Sequence, residues 1–359
     1  MKKNNVSLAQ LAARAGLSRR AFVGGLGATA ATLVLAGCGG SGSASDGASS
    51  DASGSASGEK TALTFCLDYT PNTNHTGIYV AKNQGYFAEE GLDVEIVQPA
   101  DGTAEGALGT GQAQFGISYQ DYIAAAYDSG NTGLEAIAAV IQHNTSGIMS
   151  RAADGITRAK EMENHVYTTW DMAVEQATIK QIMESDGGDF SKLSMVPYSV
   201  DDEVMGLKSN MFDCVWVYEG WAVQNAKIQD YDINYFSFKD MDDVFDFYTP
   251  VIAANTEYAE ANPEVAKAFM RAVKKGYEFA VEKPEEAAKI LCEEVPELDS
   301  ALVSASASFL AGEYTAEAES WGVIDKDRWA AYFGWLNDNS LVENKLDVNA
   351  GYDLSYLNA

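Results

Sequence analysis

Asp68-Tyr69, Ser118-Tyr119, Asn144-Thr145-Ser146, Trp170 and Glu219-Gly220-Trp221 share one placement: each follows a short apolar or β-branched run. The runs, 63–67, 115–117, 137–141, 165–167 and 214–217, read as strands. Ligands of open α/β sheets gather at the carboxyl ends of strands. Five such ends, rich in amides, hydroxyls, carboxylates and aromatic rings, therefore predict one shared cleft. Its chemistry suits a flat heteroaromatic solute, neutral or cationic. Tyr69, Tyr119, Trp170 or Trp221 would stack on the ring faces, and Asp68 or Glu219 would accept from an exocyclic amine or ring N–H. Glu219 lies hard against the apolar Trp216-Val217-Tyr218, where a charge needs a partner.

Each residue also has a plainer reading. Asp68 can cap the turn after its strand, and Asn144, Thr145 and Ser146 can satisfy backbone groups in a connection. Trp170 and Trp221 can pack in a core. In Asn74-His75-Thr76, His75 serves equally as a cap, a packed ring or a ligand contact, and with no Ser or Cys partner it is not read as catalytic. Other chemistry is thin. Gly106-Ala107-Leu108-Gly109-Thr110-Gly111 lacks the Lys-Ser/Thr of a phosphate loop, and His75, His143 and His165 are too scattered for a metal centre. Cys66, Cys214 and Cys292 lie inside apolar segments without a CxxC spacing, as small buried hydrophobes do. A formal charge of −28 argues against nucleic acid as a partner and favours a soluble monomer.

Such side chains need a scaffold. Short β-branched runs alternate with helical patterns, which predicts an α/β chain with largely parallel sheets. Further strands are expected at 94–97, 192–197, 213–217, 233–237 and 250–253. Helices are expected at 104–109, 119–127, 172–184, 201–208, 221–229, 263–281 and 284–293, the last two opening on proline. From 263 to 339 the pattern is nearly all helical. Gly85 breaks the helix after His75, and Gly91 suits a left-handed cap.

Ahead of this body, Lys2, Lys3, Arg14, Arg19 and Arg20 precede an apolar stretch at 22–37, with no acidic residue between. The stretch falls short of the about 20 apolar residues that span a bilayer, and the layout is that of an export signal. Leu35-Ala36-Gly37-Cys38 resembles the bacterial lipobox, in which the cysteine is acylated, and Ser18-Arg19-Arg20 resembles a twin-arginine signal. The expectation is a signal at 1–37, then a lipid-anchored Gly/Ser-rich tether at 38–60, and a location outside the cytoplasmic membrane.

The segment Leu67-Asp68-Tyr69-Thr70-Pro71-Asn72-Thr73-Asn74-His75-Thr76-Gly77 and the segment Gln142-His143-Asn144-Thr145-Ser146-Gly147 carry a resemblance. With Gly85-Tyr86-Phe87-Ala88-Glu89-Glu90-Gly91 and Glu219-Gly220-Trp221, they resemble the solute-binding proteins of ABC importers for thiamine pyrimidine precursors, hydroxymethylpyrimidine or formylaminopyrimidine. The resemblance implies the α/β, two-lobed periplasmic-binding-protein type II fold with two hinge crossovers. Lobe one would be 61–146 with 250–359 and lobe two 147–249, closing like a hinge. It also implies ABC permease subunits as partners, no cofactor, and no bond made or broken. Pyrimidine synthases that use pyridoxal phosphate belong to the same family and carry a lysine shortly before the equivalent of His75. Residues 68–74 contain none, which removes the Schiff-base partner. Where many importers have a Gly-rich turn, this chain has Thr168-Thr169-Trp170-Asp171-Met172, which leaves the solute open. Riboflavin and a sulfonate stay as alternatives, the sulfonate disfavoured by the few Arg and Lys near the strand ends.

Overall fold

The computed structural model describes residues 60–99, 103–197 and 202–357. The expected signal, the acylated Cys38 and nearly all of the tether lie outside the described residues. Within them, no helix is long and apolar enough to cross a membrane.

The strands are β1 (Thr61–Cys66), β2 (Leu92–Val97), β3 (Phe115–Ser118), β4 (Leu134–Ala139), β5 (Ser146–Arg151), β6 (Val166–Thr169), β7 (Ser194–Pro197), β8 (Cys214–Tyr218), β9 (Ile233–Ser237) and β10 (Val251–Asn255). They form two five-stranded sheets, ordered β2-β1-β3-β10-β4 and β7-β6-β8-β5-β9. In the first, β1 runs parallel to β2 and β3, while β10 is antiparallel to β3 and β4. In the second, β6 runs parallel to β7 and β8, while β5 is antiparallel to β8 and β9. Both sheets are thus mixed, where the alternation predicts largely parallel ones. The chain changes sheet twice, by 140–145 and 238–250, and each strand entered from a crossing segment, β5 or β10, runs against its neighbours.

Strand β5 is absent from the sequence expectation, because Ser146-Gly147 reads there as the polar end of the preceding run. It nevertheless lies between β8 and β9, and Gly147 lets the backbones approach: a Cβ there would meet the Phe236 carbonyl at 2.2 Å. The other expected strands and helices are present with shifted ends. Four helices, Pro263–Glu282, Pro284–Glu294, Ser300–Glu313 and Lys326–Asp338, make up most of the C-terminal part. Gly85 and Gly91 both adopt positive φ, at 77° and 75°. Cys66 and Cys214 are buried and Cys292 partly so, all three as free thiols.

Helix Pro263–Glu282 covers one face of the first sheet, with Phe269 stacked on Phe115 of β3 at 4.0 Å. It also crosses the helix Thr76–Asn83 at two glycines. A Cβ on Gly276 would meet the Gly77 carbonyl oxygen at 2.0 Å, and one on Gly77 would enter the Tyr277 ring at 2.3 Å. Tyr277 in turn stacks on Trp321 at 4.4 Å and donates its hydroxyl to the Asn74 carbonyl at 2.7 Å. This crossing seats the turn that carries His75. Gly276→Ala is expected to lower the stability of the chain by about 1–3 kcal/mol, as overpacking against backbone does. Denaturant unfolding checks this, and an unchanged midpoint would refute the crossing as a constraint.

Candidate functional site

The carboxyl ends of β1, β3 and β4 lie on one edge of the first sheet. Segment 140–145 leaves that edge and enters β5, whose first residue, Ser146, opposes Tyr218 at the end of β8. The carboxyl ends of β6 and β8 therefore face those of β1 and β3, and the two edges form a cleft.

On the first side, Asp68 is the centre. It is 6 % exposed, and its Oδ1 accepts from His75 Nε2 at 2.6 Å. The other nitrogen of the fully buried ring, Nδ1, accepts the Asn72 backbone N–H at 3.1 Å, which assigns the ring proton to Nε2. The Tyr119 hydroxyl donates to Asp68 Oδ2 in a short hydrogen bond. Burial alone would push the Asp68 carboxyl up, but the adjoining His75 ring and the hydrogen bonds from His75 and Tyr119 hold it below its ordinary value. Burial, reinforced by Asp68, drives the Tyr119 hydroxyl well above its ordinary range. Ser118, fully buried, donates to Glu105 Oε1 at 2.5 Å. Beyond them Asp121 opens the helix Gln120–Asp128, and burial pushes its carboxyl up to about 7 although it is only half-buried.

On the facing side, Trp170 stands half exposed at the end of β6 and packs on Trp216 at 5.7 Å. Its turn is held by Glu175, which is buried and accepts from the Tyr167 and Thr169 hydroxyls at 2.6 and 2.8 Å and from the Trp170 backbone N–H. Tyr218 shares the strand face of Trp216, bonds to Thr249, and interacts with Asp121 and Asp68 across the cleft. The Trp216 Nε1 and Ser146 Oγ atoms are buried without a hydrogen-bond partner.

The structure thus brings Asp68, His75, Ser118, Tyr119 and Trp170 to the two facing edges. Tyr69 projects at the rim, 62 % exposed. Asn74 is half-buried and contributes backbone, its N–H to Asn72 Oδ1 and its carbonyl to Tyr277. Glu219 goes elsewhere. It opens a π-helical turn, Glu219–Val223, and faces a cavity of ≈ 240 Å³ lined in part by both crossing segments, with Thr145, Tyr235, Lys239, Phe309 and Glu313. Burial raises its carboxyl, partly offset by Lys227 and reinforced by Glu313. The expectation that Glu219 joins Asp68 is corrected: side chains alternate along a strand, so Tyr218 takes the cleft position beside Trp216. Trp221 is half-buried in the same turn. Glu105 and Asp121 are absent from the sequence reading, and Tyr218 figures there only as an apolar neighbour of Glu219; the alternation from Trp216 is the signal that would have found it.

Asn144 and Thr145 belong to the hinge. Asn144 donates its N–H to Asp246 Oδ1 at 2.9 Å and its side-chain amide to the Phe245 carbonyl at 2.8 Å. The Thr145 carbonyl accepts from the Glu219 N–H and the Tyr235 hydroxyl. His143 bonds Asp246 through Nδ1 at 2.7 Å and Glu317 through Nε2 at 2.8 Å, and Arg328 donates to the same Asp246. Carboxylates facing both ring nitrogens favour the imidazolium, while Arg328, 3.2 Å from Nδ1, opposes it. Desolvation opposes that charge, but the bonds to Glu317 and Asp246 outweigh it and raise the His143 pKa. A raised histidine contributes stability that is full below its ordinary value of about 6.5 and is lost as pH rises through the folded value. His143→Gln is therefore expected to lower stability by about 1 kcal/mol at pH 6, for a partly exposed pair, and by progressively less toward pH 9. Thermal unfolding of both proteins against pH checks this, and a pH-independent difference would refute the clasp.

A formylaminopyrimidine-binding protein from Halalkalibacterium halodurans is 28 % identical over 282 residues, covering 77 % of this chain and 85 % of that protein. A 4-amino-5-hydroxymethyl-2-methylpyrimidine phosphate synthase from Saccharomyces cerevisiae is 23 % identical over 252 residues, covering 67 % and 73 %. The periplasmic aliphatic sulphonate binding protein of Escherichia coli superposes with a TM-score of 0.65 at 14 % identity, covering 81 % of this chain and 97 % of that one. That superposition shows the fold, the two-lobed α/β architecture of periplasmic solute-binding proteins. The NMT1/THI5 like family model matches residues 72–287, more than half of the chain, and the protein belongs to that family.

Proposed function

We propose that this protein is the extracytoplasmic solute-binding lipoprotein of an ABC importer, and that it captures an aminopyrimidine precursor of thiamine. The lobes are 61–146 with 250–359, and 147–249, anchored through an acylated Cys38 at the end of the tether. Solute enters between the facing strand ends and the aromatic side chains Trp170, Tyr119 and Tyr218 flank its ring. Closure about segments 140–145 and 238–250 excludes water, and the permease recognises the closed form. No bond is made or broken. The observation that carries this reading is the convergence of buried carboxylates and aromatic rings, Asp68 with Tyr119 opposite Trp170 with Tyr218, at the facing edges. An acidic cleft repels a sulfonate, whatever the fold shares with sulfonate receptors. Relatives named for binding formylaminopyrimidine and for making a hydroxymethylpyrimidine phosphate point to the same ring.

The synthase relatives favour one second reading, an enzyme that uses pyridoxal phosphate. Residues 68–74 offer no lysine for a Schiff base, and His75 is fully buried on Asp68. Pyridoxal phosphate added to the chain should then give no new absorbance band, whereas a Schiff-base band would revive the enzyme.

Calorimetry with the purified full chain is expected to show saturable binding of an amino-hydroxymethyl- or formylaminopyrimidine. Trp170→Ala should weaken it roughly 3–10-fold through lost stacking. Binding of a sulfonate or riboflavin with no response to either pyrimidine would overturn the assignment.

A further inference from the structure

The acceptors of the cleft are not equally available. Both oxygens of Asp68 are engaged, Oδ1 by His75 and Oδ2 by Tyr119. Asp68 therefore positions Tyr119 and His75. Glu105 differs. Its Oε1 takes the Ser118 hydroxyl, while its Oε2 is buried and, among the described residues, has no donor within hydrogen-bond distance. Asp121, in the first turn of its helix, lies close enough to interact with Glu105 electrostatically. The charge acting on Glu105 is that of Asp68, of like sign. Among the described residues, no lysine or arginine forms an ion pair with Glu105 or Asp121. Three carboxylates thus meet at the ends of β1 to β3, one of them with a buried orphan oxygen. They resist charging: burial raises Glu105 against the pull of Ser118 and Thr103, and pushes Asp121 up to about 7.

We infer that Glu105, supported by Asp121, is the carboxylate that reads the solute, and that the solute is held as a cation presenting adjacent N–H donors to Glu105 Oε2. The amino group and protonated ring nitrogen of an aminopyrimidine form such an edge, so this inference rests on the importer reading. Charge and protons balance in either mode of entry. A solute already protonated at the ring nitrogen enters as the cation; a neutral one takes that proton from the Glu105 carboxyl where it is held there, and otherwise from solvent.

The test uses calorimetry of the full chain at pH 7 with two probes, 4-amino-5-hydroxymethyl-2-methylpyrimidine and the same ring without its amino group. Wild type should prefer the amino compound, and Glu105→Gln, which keeps the shape and the Ser118 contact, should weaken it at least tenfold. The des-amino ring should change less than about threefold, so the preference collapses. Equal preference in wild type and E105Q would overturn the inference while leaving the importer reading standing. Failure of wild type to bind either ring would sink the importer reading and this one with it. If E105Q does not fold, wild type alone decides. In that case equal affinity of wild type for the two rings would refute the assignment.

Discussion

A carboxylate buried between an imidazole and a phenol fixes the geometry of this cleft. Asp68 leaves the end of β1, His75 opens the next helix, and Tyr119 follows β3, so one side chain ties three elements at a common edge. Removing water from Asp68 is costly, and a buried charge survives only when its lone pairs are satisfied. The Asn72 N–H settles the matter at one remove: by holding Nδ1 as an acceptor it directs the ring proton toward Asp68. The Gly77–Gly276 crossing acts at a second remove, because only glycines let the helix behind His75 come close enough to seat the turn. Site and core are therefore one structure on this side.

The facing side is built differently. Its aromatic platform hangs on Glu175, which satisfies the Trp170 turn, and on a strand whose alternation sends Trp216 and Tyr218 the same way. The two sides meet through few covalent links, and the polar hinge around Asp246 holds them. Asp246 gathers the Asn144 N–H, His143 and Arg328, so each crossing segment is pinned to the other and to the helix Lys326–Asp338. Polar pins of this kind can slide and re-form at small cost, unlike the stacked Phe115 and Phe269 of the first sheet. A hinge needs that contrast between a rigid edge and an adjustable joint.

The strand ends are legible in the sequence because a buried strand shows as an apolar run, and the polar or aromatic pair after it marks where the chain leaves the sheet. Asp68, Ser118, Tyr119 and Trp170 are readable on that ground. Glu219 is misplaced by the same rule, since run-end position does not say which face a side chain takes; the alternation from Trp216 to Tyr218 does. Strand β5 escapes because Ser146-Gly147 reads as a turn until two neighbours are known to need a close-approaching backbone. Glu105 is illegible for a similar reason. An acid in the first turn of a helix is accounted for by the helix dipole, and nothing local announces that Ser118, thirteen residues on, takes one oxygen and leaves the other bare.

The same two-lobed fold serves a sulphonate binder in Escherichia coli, so architecture alone does not choose the sign of the ligand. The choice lies in what the strand ends carry. An anion receptor must present donors: helix N-termini, guanidinium groups, ammonium groups. Here the donors nearest the edge of the first sheet, His75 and Tyr119, are turned inward onto Asp68. On the proposed function, charge preference would rest on the carboxylates together, and choice among rings on the aromatic side chains opposite. The departure at Thr168-Thr169-Trp170-Asp171-Met172 lies on that second, shape-reading side.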